Sequence, residues 1–436
     1  MKTTKATFIL LAIVLTLTSC LAKPVTPTIS SQAAPESDKP VHILIATGDS
    51  GEGLTPHEHI IQNYRVTNPN ASIELQPVSG NYYASLLSSL ESEQPPDLLQ
   101  IGDDAVPSFV ANQALVPLDE CIQNGAINLS GYLPGLLDPG KAAGKQYLLP
   151  KDYSPIGVFY NKKLFDQAGQ PYPQDNWTWQ DFLTTAQKLT QDLDGDGNPD
   201  TWGIQLPANW TSGFEYWVAA AGGRLVSPDG KQAIGYMDSP ETIRGVKFYG
   251  DLYNAFRVAP PPVDLTQFNG GNNEFKEGKA AMWLTGRWPQ SDLKKLPAIE
   301  LGVAPPPRDA QRANILFWSG FGITQKSPDP EQVCKFLLYY TGEPGSAIWK
   351  DWALPAVRSV AEASGQISDP IDGVWIRELN YLAPRTFTFT PYWNEAIHPA
   401  LSEALTTVIS DPNADPAAVM QQAARKAQAA LDILNQ

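Results

Sequence analysis

Near its start the chain switches between two hydrophobic periods. Val41-His42-Ile43-Leu44-Ile45-Ala46 is a compact apolar run closed by Thr47-Gly48-Asp49-Ser50-Gly51, which predicts a strand entering a loop. From His57 to Thr67 the apolar positions Ile60, Ile61 and Tyr64 fall at helical spacing, and Asn68-Pro69-Asn70 ends the run. Ile73-Glu74-Leu75-Gln76-Pro77-Val78 alternates as a second strand, residues 81–90 form a second helix, and Asp97-Leu98-Leu99-Gln100-Ile101 is a third strand. Strands alternating with helices of about ten residues predict an α/β fold on a mostly parallel sheet. Ligands of such sheets sit beyond the carboxyl ends of strands, where Gly48-Asp49-Ser50 and Gly102-Asp103-Asp104 lie. A second α/β region follows, with a strand over 157–161 and an amphipathic helix over 179–190. An Ala- and Gln-rich helix closes the chain after the Pro-Asn-Ala-Asp-Pro break, and no internal repeat is visible.

The first forty residues obey a different pattern. Met1-Lys2-Thr3-Thr4-Lys5 is a short positive start to the apolar run 6–17. As a helix that run is about 18 Å long, too short to span a bilayer, so residues 1–19 read as an export signal. The run ends in Leu17-Thr18-Ser19-Cys20, which resembles the bacterial lipobox and implies a diacylglycerol thioether on Cys20. Residues 20–40 then form the lipidated cysteine and a flexible tether, rich in Pro, Thr and Ser with few apolar positions.

Composition narrows the class. The chain has 436 residues, room for two domains, and 42% hydrophobic against 18% charged residues is a globular balance. A formal charge of −15 argues against nucleic acid and anionic lipid as partners. After lipidation only Cys121 and Cys334 remain. They could pair in an oxidising compartment, but Cys334 sits in a helical pattern where a buried small apolar residue is the commoner role, and that role is expected here. His57-Glu58-His59 looks like a metal pair, but residues i and i+2 of a helix diverge, so a surface helix start is expected.

Several blocks, in order, resemble the bacterial extracellular solute-binding proteins of sugar-importing ABC transporters. They are Pro96-Asp97-Leu98-Leu99 to Leu115-Val116-Pro117-Leu118 (with Gln113-Ala114 where the family has glycine), Val158-Phe159-Tyr160-Asn161-Lys162-Lys163-Leu164-Phe165, and Pro173 through Trp177-Thr178-Trp179. Phe275-Lys276-Glu277-Gly278-Lys279-Ala280-Ala281-Met282 with Gly286-Arg287-Trp288, then Trp318-Ser319-Gly320-Phe321-Gly322, and finally Leu354-Pro355-Ala356 complete the set. The resemblance implies a two-lobed α/β fold, crossed more than once between lobes and closing on ligand like a hinge. It implies a first lobe of 41–152 plus 312–345 and a second of 153–311 plus 346–436. It also implies a monomer outside the cytoplasm, tethered by its lipid, that passes a sugar to a membrane permease without catalysis.

A sugar presents an apolar C–H face and a rim of hydroxyls, so its site needs flat rings and directed polar groups. By family position the candidates are Asp103 and Asp104, Asp152 and Tyr153, Tyr216 and Trp217, Arg287 and Trp288, Trp318, and Tyr392 and Trp393. Each has a plainer reading, as core aromatic, surface ion pair or, for Asp104, a helix cap.

Asp192, Asp194, Asp196, Asn198 and Asp200 stand at positions 1, 3, 5, 7 and 9 of an EF-hand-like loop with Gly197 at position 6. Position 12 is Gly203 rather than glutamate, so the loop is either a short structural Ca²⁺ turn or an ion-free Asx turn. The sharpest enzyme alternative is a GDSL-type esterase with Ser50 as nucleophile and His398 as base. Within the binding class the alternatives are glycerol phosphate, a polyamine or iron.

Overall fold

The computed structural model describes residues 40–125, 127–208 and 210–435; the export signal, Cys20 and nearly all of the tether lie outside the described residues. The strands are β1 (Val41–Thr47), β2 (Ala71–Pro77), β3 (Leu98–Gly102), the short hairpin β4 (Lys141–Ala142) and β5 (Lys145–Gln146), β6 (Leu149–Asn161), β7 (Trp202–Gln205), β8 (Ala280–Gly286), β9 (Leu301–Ala304) and β10 (Leu316–Ile323). The main sheet runs β2-β1-β3-β10-β6-β8-β7, with β9 also on β6.

The sheet is mixed, which corrects the mostly parallel expectation. β1 is parallel to β2 and β3, and β7 to β8, but β10 runs antiparallel to both β3 and β6. Local periodicity reports a strand and not its direction, and β10 reaches β3 from more than two hundred residues away.

β6 joins the two halves of the sheet. Its residues 149–155 pair with β10, and Ile156–Asn161 pair with β8 and β9. All thirteen positions of β6 except Asp152 are buried, so burial along the strand is continuous rather than alternating. Helices cover both halves. Ile43, Ile60, Leu98, Phe321, Leu337 and Tyr340 share one core cluster, and Phe182, Trp217, Val246, Leu401 and Ala427 share another. Trp349 packs in the first of these, so the chain beyond residue 346 begins within the core of the first half.

Most expected elements appear within a few residues. The helix at 55–67, the helix Trp179–Leu189 and the closing helix Pro416–Leu434 are present. Thr178 and Asp181 form a reciprocal capping box at the start of the second of these. Gln113, where the family resemblance calls for glycine, adopts φ 52°, the left-handed region that glycine occupies without a Cβ penalty.

Two expectations are corrected. Cys121 and Cys334 form a disulfide rather than standing as separate buried thiols. Helix Asp119–Asn124 lies against helix Pro330–Thr341, which sets the two Cα atoms 5.8 Å apart, within bridging range. His57 is not at the surface: it is 0% exposed, because the helix start turns it inward against Phe321, Tyr340 and Trp349.

Candidate ligand cleft

A cleft of about 530 Å³ opens where the ends of β1, β6, β8 and β10 converge. β6 brings Lys151, Asp152, Tyr153 and Ser154; β10 brings Phe317, Trp318 and Ser319; Arg287 and Trp288 follow directly on β8. Asp49 enters from the loop after β1, Trp349 from the end of the helix Glu343–Trp349, and Trp352 from the segment after it.

The rings are its most extensive feature. Trp288 is 50% exposed and Trp352 is 42% exposed, unusual for indoles that serve only packing. Trp288 sits edge-on to Trp210 at 5.5 Å and to Phe317 at 5.7 Å, while Trp210 stacks on Phe317 at 4.9 Å. Gly286 makes that geometry possible, since a Cβ there would collide with the Trp288 ring. Tyr153 and Trp318 line the cleft from more buried positions, and neither the Tyr153 hydroxyl nor the Trp318 indole N–H has a hydrogen-bond partner among the described residues.

The polar floor is a charge network. Lys151, only 2% exposed, places Nζ 2.6 Å from Asp49 Oδ2 and 3.2 Å from Asp152 Oδ2. Ser319 Oγ donates to Asp152 Oδ1. Burial alone would raise the Asp49 carboxyl, but His57 and the Lys151 ammonium outweigh it and hold it well below the usual carboxylate range. Burial likewise works against the Lys151 ammonium, and Asp152 and Asp49 overcome it, leaving the ammonium above its ordinary value. Arg287 points its Nε and Nη2 at Asp372 Oδ1, 3.1 and 3.0 Å away, where Gln290 also donates. Both basic side chains of the cleft are therefore neutralised internally, while Asp49 and Asp152 remain 28% and 33% exposed.

The remaining candidates lie elsewhere. Tyr216 and Trp217 are fully buried on the helix Thr211–Ala220, with Tyr216 donating to the Pro307 carbonyl and Trp217 packed on Trp179 and Phe248. That helix is buried at nine of its ten positions, so spacing alone could not single out an outward face. Trp393 is buried and Tyr392 half-buried in the same second-half core. Asp104 accepts from the Tyr83 hydroxyl at 2.7 Å. Asp103 is 7% exposed and faces Arg385 at 3.7 Å. Burial pushes the Asp103 carboxyl up to about 8 against the pull of Arg385, with Asp104 and Glu215 adding to the rise. The loose ion pair and the upward shift point opposite ways; burial prevails, because Arg385 spends its close contact on Glu215 at 2.8 Å.

Asp49, Lys151, Trp210, Phe317, Trp349 and Trp352 went unnoticed as site residues. Asp49 carried a signal, as an acid at the end of the first strand; the others did not, because only the fold brings those segments together. In the acidic loop, carboxylate oxygens of Asp192, Asp194 and Asp200 lie within 4.8 Å of one another. Both Asp192 oxygens accept backbone amides, from Gly195 and Gly197, and Asp196 accepts from the Asn198 amide. His398 bonds Thr211 at 2.6 Å, and no hydrogen bond joins it to Ser50 among the described residues.

Two half-sheets crossed by a shared strand, with a ring-lined cleft beside the crossing, define a two-lobed solute-binding fold of the maltose-binding type. The chain belongs to the bacterial extracellular solute-binding proteins, whose pattern matches residues 48–347. Its fold is similar to that of the sugar-binding protein MalE from Xanthomonas citri (TM-score 0.77, 20% identity, 91% of this chain and 98% of that one). It is equally similar to UgpB from Mycobacterium tuberculosis in complex with glycerophosphocholine (TM-score 0.76, 19% identity, 92% and 100% covered). By sequence it is 24% identical over 391 residues to a binding protein of Brucella abortus, covering 86% of this chain and 89% of that protein. The protein is the extracytoplasmic binding component of an importer.

Proposed function

We propose that this protein binds a neutral mono- or oligosaccharide in the cleft between its halves and delivers it to an ABC permease, without transforming it. The observation that carries this reading is the pairing of exposed indoles with part-exposed carboxylates in a cleft whose two basic side chains, Lys151 and Arg287, are already neutralised. Indole faces match the C–H faces of a pyranose, and ionised carboxylates accept from hydroxyls in charge-assisted bonds. A phosphate would meet Asp49 and Asp152 with no free cation in the cleft lining among the described residues, so glycerol phosphate is disfavoured although a fold relative is in complex with glycerophosphocholine. Of the candidates taken by family position, Asp152, Tyr153, Arg287, Trp288 and Trp318 line this cleft and form the proposed contact set, with Asp49, Phe317, Trp349 and Trp352 added.

The first lobe comprises residues 41–152 plus 312–345 and the second 153–311 plus 346–436, the start of that last segment packing through Trp349 on the first lobe. The N-terminal segment acts as a signal peptide, and a lipid on Cys20 holds the protein at the membrane surface as a monomer. The acidic loop takes a structural Ca²⁺ through Asp192, Asp194 and Asp200; an unchanged melting temperature between EDTA and Ca²⁺ removes that part.

The test is a thermal-shift screen of mono- and oligosaccharides, glycerol phosphate and polyamines. A sugar at a hundredfold excess over its Kd stabilises by about 2.7 kcal/mol. If phosphates or polyamines shift the melting temperature and no sugar does, the assignment is wrong.

A further inference from the structure

We propose that His57 and Tyr340 are positioning residues that lock one carboxylate oxygen of Asp49, so that the other meets ligand O–H or N–H groups as a fixed acceptor. The inference rests on the cleft being the ligand site. The contacts form a line from the core to the cleft: the Tyr340 hydroxyl is 2.7 Å from His57 Nδ1, and His57 Nε2 is 2.8 Å from Asp49 Oδ2. Each direction follows from chemistry. A carboxylate beside Lys151 can only accept, so Nε2 carries a hydrogen. A neutral ring, favoured by complete burial, then has a bare Nδ1, and Tyr340 must be its donor.

Asp49 Oδ2 thus receives His57, Lys151 at 2.6 Å, the Thr47 hydroxyl at 3.3 Å and, with the Gln100 amide nitrogen turned toward it, a further donor at 3.1 Å. Asp49 Oδ1 accepts no hydrogen bond among the described residues, yet its side chain is 28% exposed and lines the cleft. The terminal carboxylate torsion is intrinsically broad. These donors on one oxygen remove that freedom before ligand arrives, so less ordering remains to oppose binding.

The supports are rigid. Tyr340 lies on helix Pro330–Thr341, which the Cys121–Cys334 disulfide ties to helix Asp119–Asn124. Phe321 and Trp349 wall in the imidazole edge-on, and the Lys151 ammonium sits 4.7 Å from the Trp349 centroid. The charged or titratable groups facing His57 are Asp49 from the β1 loop, Lys151 and Asp152 from β6, and Tyr340 from its helix. A buried imidazole with an acceptor on one side and a donor on the other has one satisfactory tautomer, the Nε2–H form.

The test combines a ligand-free and a ligand-bound readout on the full-length chain. Long-range ¹H–¹⁵N spectra of histidine-labelled protein, with the His57 signal assigned by its loss in His57→Gln, should show a neutral Nε2–H ring at neutral pH, since burial lowers the imidazole from its ordinary value. Tyr340→Phe should let the Nδ1–H form appear. For binding, maltotriose serves as the calorimetric probe. Glutamine can place its amide nitrogen near the Nε2 position and asparagine cannot, so His57→Gln should bind within about threefold of wild type while His57→Asn loses about tenfold. An Nδ1–H ring in the wild type overturns the relay, as does equal affinity of folded His57→Gln and His57→Asn. If wild type fails to bind maltotriose, that sugar is excluded, and the spectra still decide the relay.

Discussion

Replacing Arg385 by methionine tests whether a buried ion pair holds the two halves of the fold in register. Arg385 is 5% exposed; its Nε donates to Glu215 at 2.8 Å, Nη1 to the Leu316 carbonyl at 2.7 Å and Nη2 to the Ser212 carbonyl at 3.2 Å. It therefore links β10 to the helix Thr211–Ala220. Methionine keeps much of the stem volume but donates nothing. Glu215 would retain only the Thr386 amide at 2.7 Å and hydroxyl at 2.6 Å, and two carbonyls would lose their donor. Removing one partner of a buried pair costs about 3–5 kcal/mol. With an unfolding entropy of roughly 2.1 cal/mol/K per residue over about 400 residues, that corresponds to a fall in melting temperature of about 4–6 °C. Calorimetry of both proteins at low salt and at 1 M NaCl is the assay, because a pair this buried is screened little. Adding Glu215→Gln to the variant should recover part of the loss, as expected for groups in contact. A fall below about 1 °C, or a difference abolished by salt, would refute the reasoning.

The buried Asp103 carboxyl, raised from 3.8 to about 8, holds a proton in the folded state that the unfolded chain releases. Its contribution to stability is greatest below the unfolded value and is lost as pH rises through the folded one. Asp103→Asn should remove this slope, so the variant gains on wild type between pH 4 and 8; parallel melting curves across that window count against it. The disulfide closes a loop with a sequence separation of 213, so Cys121→Ser with Cys334→Ser should lower stability by up to about 5 kcal/mol. Alkylation of both cysteines in unreduced wild type, read by peptide mapping, would show that the pair does not form. Gly286→Ala should displace the Trp288 ring and weaken sugar binding about tenfold, or about 1.4 kcal/mol, in calorimetry. Unchanged affinity would remove Trp288 from the contact set.

Local pattern located the elements well. The apolar run at Val41, the helical spacing of Ile60, Ile61 and Tyr64, and the amphipathic stretch over 179–190 each specify a structure within a few residues of themselves. Motif order carried the family, and with it Asp152, Tyr153, Arg287, Trp288 and Trp318 into the cleft lining. The same reasoning placed Tyr216, Trp217 and Trp393 among the ligand contacts, and they are core side chains. An aromatic residue has the same local signature whether it stacks on a sugar or on Phe248, since both uses require a flat apolar face.

The sequence by itself determined where strands and helices form, because hydrophobic period, capping residues and turn residues act over one or two turns of chain. It also determined the family and its binding role. Only the tertiary structure decided that β10 returns antiparallel beside β3, that Cys334 meets Cys121, and that His57 turns inward to hold Asp49. These are contacts between distant segments, and their energies depend on burial and distance, quantities that do not exist until the chain has packed.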